Sequence, residues 1–109
     1  MATIVRRMPK RFLDNAPEQV YDIFDNPETH DRYTVVLKPY EHRLGTFAPY
    51  LGASENPFSP QGFGISDEMP VHQLRAYRDR NRRFRMNWNG LPEDVKTAVK
   101  GLIADVPTN

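Results

Sequence analysis

The chain has no cysteine, so neither a disulfide bond nor a thiolate-bound zinc or iron–sulfur site can form. No apolar run approaches the roughly 20 residues that a membrane-spanning helix needs. The N-terminus also lacks the apolar block of a secretion signal. These absences predict a soluble, cytoplasmic protein that has no membrane partner.

Length limits the organisation of the protein. A chain of 109 residues can form one domain with a modest core, and no internal repeat is visible. We predict a basic N-terminal arm or short strand over residues 1–12 and a single α+β domain over residues 13–109.

Charge of each sign is missing from some stretches and concentrated in others, although the formal net charge is only +1. Residues 6–11 carry four basic side chains and no acid. Residues 13–31, the acidic block, carry six acids and no lysine or arginine: Asp14, Glu18, Asp22, Asp25, Glu28 and Asp31. Residues 75–85, the arginine run, carry six arginines against the single Asp79: Arg75, Arg78, Arg80, Arg82, Arg83 and Arg85. A charged partner would therefore meet patches of one sign.

The acidic block contains the signals of an N-terminal helix. Asn15 suits an N-cap, Pro17 suits the first helical turn, and apolar residues at 20, 23 and 24 have helical spacing. We therefore predict a helix over residues 15–25. On such a helix the acids also have a purely structural explanation, because they would form its solvent-facing side and favour the positive end of its dipole.

Three segments have the composition of strands, which favours a short antiparallel sheet of about three strands. Residues 32–38 carry β-branched and aromatic side chains on both faces, as is typical of a strand inside a sheet. Residues 47–51 form a second predicted strand, in which Pro49 requires an edge position or a place among the first residues. In residues 83–88 apolar and polar side chains alternate with the period of a half-buried strand.

The remaining segments complete a small α+β unit. Residues 50–64 are rich in proline, glycine and aromatic residues, which predicts an ordered loop held against the core. Residues 66–70 have turn composition, and residues 71–77 fit a strand or a short helix. Residues 92–106 carry one apolar stripe, so we predict a C-terminal helix that packs on the sheet.

Four short motifs stand out in the chain as a whole. They are Tyr-Thr-Val-Val at residues 33–36, Tyr-Leu-Gly at 50–52, the loop at 54–64 that begins Ser-Glu-Asn-Pro-Phe, and Leu-Pro-Glu-Asp-Val at 91–95. Together they resemble a loosely defined group of short proteins encoded on bacteriophages, plasmids and other mobile elements. The resemblance implies an accessory protein in the cytoplasm of a host bacterium. Such proteins often bind host machinery, and they include anti-defence inhibitors of the anti-CRISPR type.

Recognisable catalytic patterns are also lacking. No Gly-x-Ser-x-Gly elbow is present, and residues 62–64 (Gly-Phe-Gly) lack the third glycine and the lysine of a phosphate-binding loop. Glu28, His30 and Asp31 could offer metal ligands, but side chains this close in sequence usually point in different directions. We therefore predict a non-enzymatic protein with no catalytic residue, metal or cofactor.

Binding of a macromolecule through charge is the function that remains. The acidic block could imitate a nucleic-acid backbone and occupy a basic groove on a host protein or nucleoprotein complex. The arginine run could instead contact RNA or DNA, with Tyr77, Phe84 and Trp88 near enough in sequence to stack on bases. A third interpretation is structural, because acids and arginines could pair within one molecule. Ion pairs of Arg83 and Arg85 with Asp22 or Asp25 would remove the main support for the first hypothesis.

Overall fold

The computed structural model describes residues 5–29, 31–54 and 65–105, so most of the loop predicted at residues 50–64 lies outside the described residues. The strands are β1 (Val20–Asp25), β2 (Tyr33–Leu37), β3 (Tyr40–His42), β4 (Gly45–Ala53) and β5 (Ile65–Pro70). The helices are α1 (Val71–Asn81) and α2 (Glu93–Asp105), with 3₁₀ turns at Lys10–Phe12, Arg82–Phe84 and Trp88–Gly90. The predicted α+β class and C-terminal helix are confirmed. Within the described residues, no helix is both long and apolar enough to cross a membrane.

β4 is the central strand of one antiparallel sheet. One of its sides pairs with β3 and then with β2, and its other side pairs with β5. β1 pairs with the far side of β2. The sheet is therefore wider than the three strands we predicted. β2 is buried along its whole length, as expected for a strand inside the sheet.

Each face of the sheet is covered by one helix, which gives two cores. The first core lies under α2 and includes the side chains of Ile23, Val35, Leu51, Val95 and Val99. The second core lies under α1 and contains the buried side chains of Phe24, Val36, Ala48, Met69 and Leu74. Because apolar area is removed from water on both faces, the sheet is the common wall of the two cores.

The predicted N-terminal helix is wrong, because residues 20–25 form strand β1. Asn15 has a left-handed backbone (φ 66°) and caps no helix. The helical spacing of the apolar residues reflects a β-bulge, since the register shifts between Val20 and Asp22. The extra residue places Val20 in the same core as Ile23, while Phe24 points into the other core.

The predicted strand over residues 83–88 is also wrong. These residues belong to two 3₁₀ turns joined by a short extended piece. In that piece Arg85 forms a single bridge with Phe24, and the Met86 N–H donates to the Ile23 carbonyl (3.1 Å). The segment therefore covers the outer edge of β1 only briefly before the chain continues to α2.

Two further predictions fail around β4. Residues 66–70, predicted as a turn, belong to edge strand β5, whose backbone partners come from β4. Pro49 lies in the middle of the central strand, neither at an edge nor among its first residues. On one side Pro49 pairs with Glu68 of β5. On the other side it lies between the residues that pair with β3 and those that pair with β2, where β4 has no strand partner among the described residues. The missing N–H of proline therefore interrupts no backbone hydrogen bond on that side. Residues 71–77, whose sequence fits either a strand or a short helix, are helical as part of α1.

The described part of the N-terminal arm packs against this domain. Met8 is buried in the first core, and its N–H donates to the Tyr21 carbonyl (2.9 Å). Val5 contacts the second core. Arg7 donates from Nε to the Val20 carbonyl (2.8 Å). Residues 5–8 thus cover the outer edge of β1 next to the Arg85–Met86 piece.

Candidate functional site

Asp22 is the centre of a buried ion cluster. Its carboxylate is 0% exposed and lies between two arginines of the arginine run. Arg85 donates to it twice, from Nε to Oδ1 and from Nη2 to Oδ2, both at 3.1 Å. The Ile23 N–H also donates to Oδ1 (3.2 Å). Asp22 therefore joins β1 to the segment that follows α1.

Arg78 completes the cluster from α1. Its Nε lies 2.7 Å from Asp22 Oδ2, yet the two groups are not aligned as a hydrogen bond. Its Nη2 is buried without a hydrogen-bond partner among the described residues. Burial lowers the pKa of the Arg78 guanidinium, and the Asp22 carboxylate opposes that shift. One carboxylate thus compensates two guanidinium groups in a place that water scarcely reaches.

The acidic block does not form one surface. Asp14 and Glu18 are exposed ahead of β1, while Glu28 and Asp31 lie in the turn after it. Strand β1 separates the two groups by roughly 20 Å, at about 3.3 Å per residue. The complete burial of Asp22 corrects the prediction that this residue contacts a partner.

Asp25, the remaining acid of the block, is engaged within the molecule. Its Oδ1 lies 2.7 Å from Arg32 Nε, and Arg32 Nη2 donates to its Oδ2 at 3.2 Å. Both side chains are about one-third exposed or less (32% and 26%). A two-point contact of this geometry orients both groups, so the Asp25 carboxylate is matched locally by a cation.

Four arginines of the run point outwards and form what we call the arginine surface: Arg75, Arg80, Arg82 and Arg83. The first two lie on α1, and the other two lie in the 3₁₀ turn that continues it. Asp79 approaches Arg82 to 3.6 Å, but both side chains are more than two-thirds exposed (77% and 71%), so their charges remain hydrated. Arg78 and Arg85 do not belong to this surface, because both face Asp22.

The aromatic residues predicted to stack on bases are mostly occupied elsewhere. Trp88 is buried in the first core. Tyr77 packs edge-on against Phe24, with ring centroids 5.0 Å apart. Phe84 lies beside the arginine surface, but it is partly buried and Arg83 covers its ring at 4.5 Å from the centroid. Stacking on bases by these three rings is therefore restricted.

An open cleft of about 550 Å³ lies on the α1 side of the sheet. Polar side chains from α1, two strands and the β1–β2 turn converge on it: Thr29, Asp31, Thr34, Tyr50, Tyr77 and Arg80. The Tyr77 hydroxyl donates to Thr34 Oγ1 (3.0 Å), which orients both side chains. The volume falls within the range of small-molecule sites in proteins.

Tyr50 lies near two carboxylates, those of Asp67 and Asp31. Burial raises the pKa of its phenol, and the carboxylates of Asp67 and Asp31 raise it further. Asp67 is the cross-strand partner of Tyr50 in β5. The phenol therefore stays protonated at neutral pH in a negative local field.

The sequence did not predict this cleft. Its residues come from separate segments, and only the strand register places them on one face. Thr34 pairs with Gly52, and Val36 pairs with Tyr50, so alternate residues of β2 and β4 face α1. In the sequence, charge alone distinguishes Asp31 and Arg80. No local motif marks the cleft, because its parts meet only after the sheet has formed.

Among the described residues, no group of three or more histidine, aspartate or glutamate side chains could hold a metal ion. His30, which we considered together with Glu28 and Asp31, lies outside the described residues. Comparisons of the chain with protein-family models, with curated proteins and with solved structures find no significant match.

Proposed function

We propose that this protein is a non-enzymatic binding protein whose arginine surface contacts a nucleic acid. The observation that carries the proposal is the exposure of Arg75, Arg80, Arg82 and Arg83 on one helix and the turn that follows it, with Asp79 as the only acid of that stretch. Guanidinium groups are permanently charged, and their planar donors match phosphate oxygens.

The buried ion cluster supports this assignment. Asp22 engages Arg78 and Arg85 and none of the four outward arginines. The cluster also attaches α1 and the following turn to β1, so the arginine surface stands on an ordered support. Because the nearby aromatic rings are largely covered, we expect contacts to phosphates rather than to bases. Such binding depends strongly on salt and weakly on sequence.

Fluorescence anisotropy with a labelled DNA duplex and a labelled single-stranded RNA tests the proposal. We expect micromolar or tighter affinity that falls steeply between about 50 and 200 mM salt. The double variant Arg82→Gln/Arg83→Gln should reduce the slope of log K against log salt by about 1 to 2, since each lost phosphate contact contributes about 0.7 to 0.9.

The matched control is Lys100→Gln, which removes a positive charge from an exposed position on α2, on the other side of the sheet. This variant should leave both the affinity and the salt slope unchanged. An affinity that does not change with salt would contradict the proposed surface. So would a loss of affinity in Lys100→Gln that equals, per charge removed, the loss in the double arginine variant.

A protein target in a bacterial host is the second candidate, with the chain acting as a mobile-element accessory protein that inhibits host defence. The exposure of Asp14, Glu18 and Glu28 favours it, because these carboxylates can meet a basic partner. Capture from a bacterial lysate tests this candidate. It requires a specific protein that the wild-type chain retains and that an Asp14→Asn/Glu18→Gln variant loses, together with no salt-dependent affinity for nucleic acid.

A further inference from the structure

The part of the α1-side cleft beside Asp31 has the negative charge and the hydrogen-bond acceptors that suit a cation. Asp31 lies in its wall, and Asp67 lies next to Tyr50 on the same face of the sheet. The Tyr77 hydroxyl donates a hydrogen bond to Thr34 Oγ1. The lone pairs of the Tyr77 oxygen therefore remain available to accept a hydrogen bond from a ligand. Carboxylates and hydroxyl oxygens together suit a group that brings N–H donors and a positive charge.

Gly52 keeps the approach to Asp31 open. It lies in the cleft opposite Thr34, and a side chain there would place its Cβ 3.4 Å from Asp31 Oδ2. That distance is an ordinary van der Waals contact, so alanine would fit and would occupy the space beside the carboxylate. With glycine in place, a ligand atom can approach the Asp31 carboxylate more closely from this side.

We propose that this cleft binds a small molecule that carries a protonated amine, with the ammonium group placed between Asp31 and Tyr50. Arg80 also lines the cleft and is exposed, so its guanidinium offers a partner to a carboxylate on the same ligand. The carboxylates of Asp67 and Asp31, which add to the effect of burial on the Tyr50 pKa, favour a cation over an anion beside Asp31. The cleft and the arginine surface share Arg80, but Asp31 and Gly52 lie outside the arginine surface, so variants at these two positions test the cleft independently of nucleic-acid binding.

Amide NMR signals of Thr34, Tyr50 and Gly52 in the full chain report on the cleft directly. The chain is titrated with n-butylammonium, with butyrate and with 4-aminobutyrate, which share a four-carbon skeleton and differ in charge. We expect the two amines to shift these signals with dissociation constants in the millimolar range, as befits ligands of so few atoms. Butyrate should leave the signals in place. Equal shifts with butyrate, or no shift with either amine, would overturn the proposal.

Two variants test the placement of the amine. Asp31→Asn removes the charge and keeps the shape, so n-butylammonium should bind about tenfold more weakly or worse. Gly52→Ala leaves the charge and fills the space beside Asp31, so it too should weaken binding while the melting temperature stays close to that of the wild type. The control Asp94→Asn removes an exposed acid from α2, on the other face of the sheet, and should change nothing. A loss in the control as large as the loss in Asp31→Asn would show non-specific attraction and refute the site.

Discussion

Removal of the Asp22 carboxylate should destabilise this protein far more than removal of an exposed acid from the same block. In Asp22→Ala, Arg78 and Arg85 would keep side-chain exposures of only about 11% and 19% with no carboxylate between them. Breaking a buried ion pair by removal of one partner costs about 3–5 kcal/mol. Because both arginines retain some contact with water, we expect the lower end, about 3 kcal/mol. For a domain of this size the melting temperature should then fall by about 12 °C.

Urea unfolding followed by the fluorescence of Trp88 measures this loss, since the chain has a single tryptophan and that residue is buried. Asp14→Ala, at an exposed position, should change the free energy of unfolding by less than about 0.5 kcal/mol. The triple variant Asp22→Leu/Arg78→Met/Arg85→Met should recover most of the stability, because no buried charge is left without a partner. A loss below about 1 kcal/mol in Asp22→Ala, or equal losses in the Asp22 and Asp14 variants, would refute the structural role of the cluster.

Three further predictions address the core, the backbone and the pH dependence. Leu74→Ala, at a fully buried position under α1, should cost about 2–5 kcal/mol in urea unfolding, whereas Leu44→Ala, at a position 76% exposed, should cost less than about 0.5 kcal/mol. Gly45→Ala should cost about 1 kcal/mol or more, because a φ of 133° strains an L side chain. Gly101→Ala should instead stabilise α2 by about 0.5–1 kcal/mol, since the new Cβ meets no atom within 4 Å; similar effects of both glycine variants on the melting temperature would contradict this reasoning. The raised pKa of Tyr50 means that the folded state holds the phenolic proton more tightly than the unfolded state, whose pKa is about 10.0. This contribution to stability is present below about pH 10 and is lost as the pH rises through the folded-state value, so Tyr50→Phe should flatten the decline of the urea midpoint above pH 10.

Among the described residues, the acidic block and the arginine run are joined by ion pairs at Asp22. Asp22, from the middle of the acidic block, is enclosed by two arginines of the arginine run. This pairing is the structural interpretation that the sequence allowed, and it removes the main support for a continuous acidic surface that imitates nucleic acid. The four outward arginines keep their exposure, which is why a polyanionic partner is the better-supported proposal.

The wrong predictions for residues 15–25 and 83–88 share one physical cause. Periodicity reports which residues face the same way only while the backbone keeps a constant repeat. The bulge in β1 adds one residue to a strand and so imitates helical spacing between Val20 and Ile23. In residues 83–88 the alternation is real, but Arg85 turns inwards to Asp22 and the backbone bends into 3₁₀ turns on either side.

The sequence by itself determined strand β2 and helix α2, because their signals are local. β2 consists of Tyr-Thr-Val-Val-Leu, and α2 carries one apolar stripe after a proline, so each element follows from its own residues. Only the tertiary structure decided the burial of Asp22, the strand pairing of β5 and the meeting of Asp31, Tyr50 and Arg80 at one cleft. Asp22 and Arg85 are 63 residues apart in the chain, and a contact over that separation depends on the whole sheet being in place. The sequence does not distinguish a carboxylate that is hydrated from one that is paired with a guanidinium group, because the surroundings of the side chain are determined by the fold.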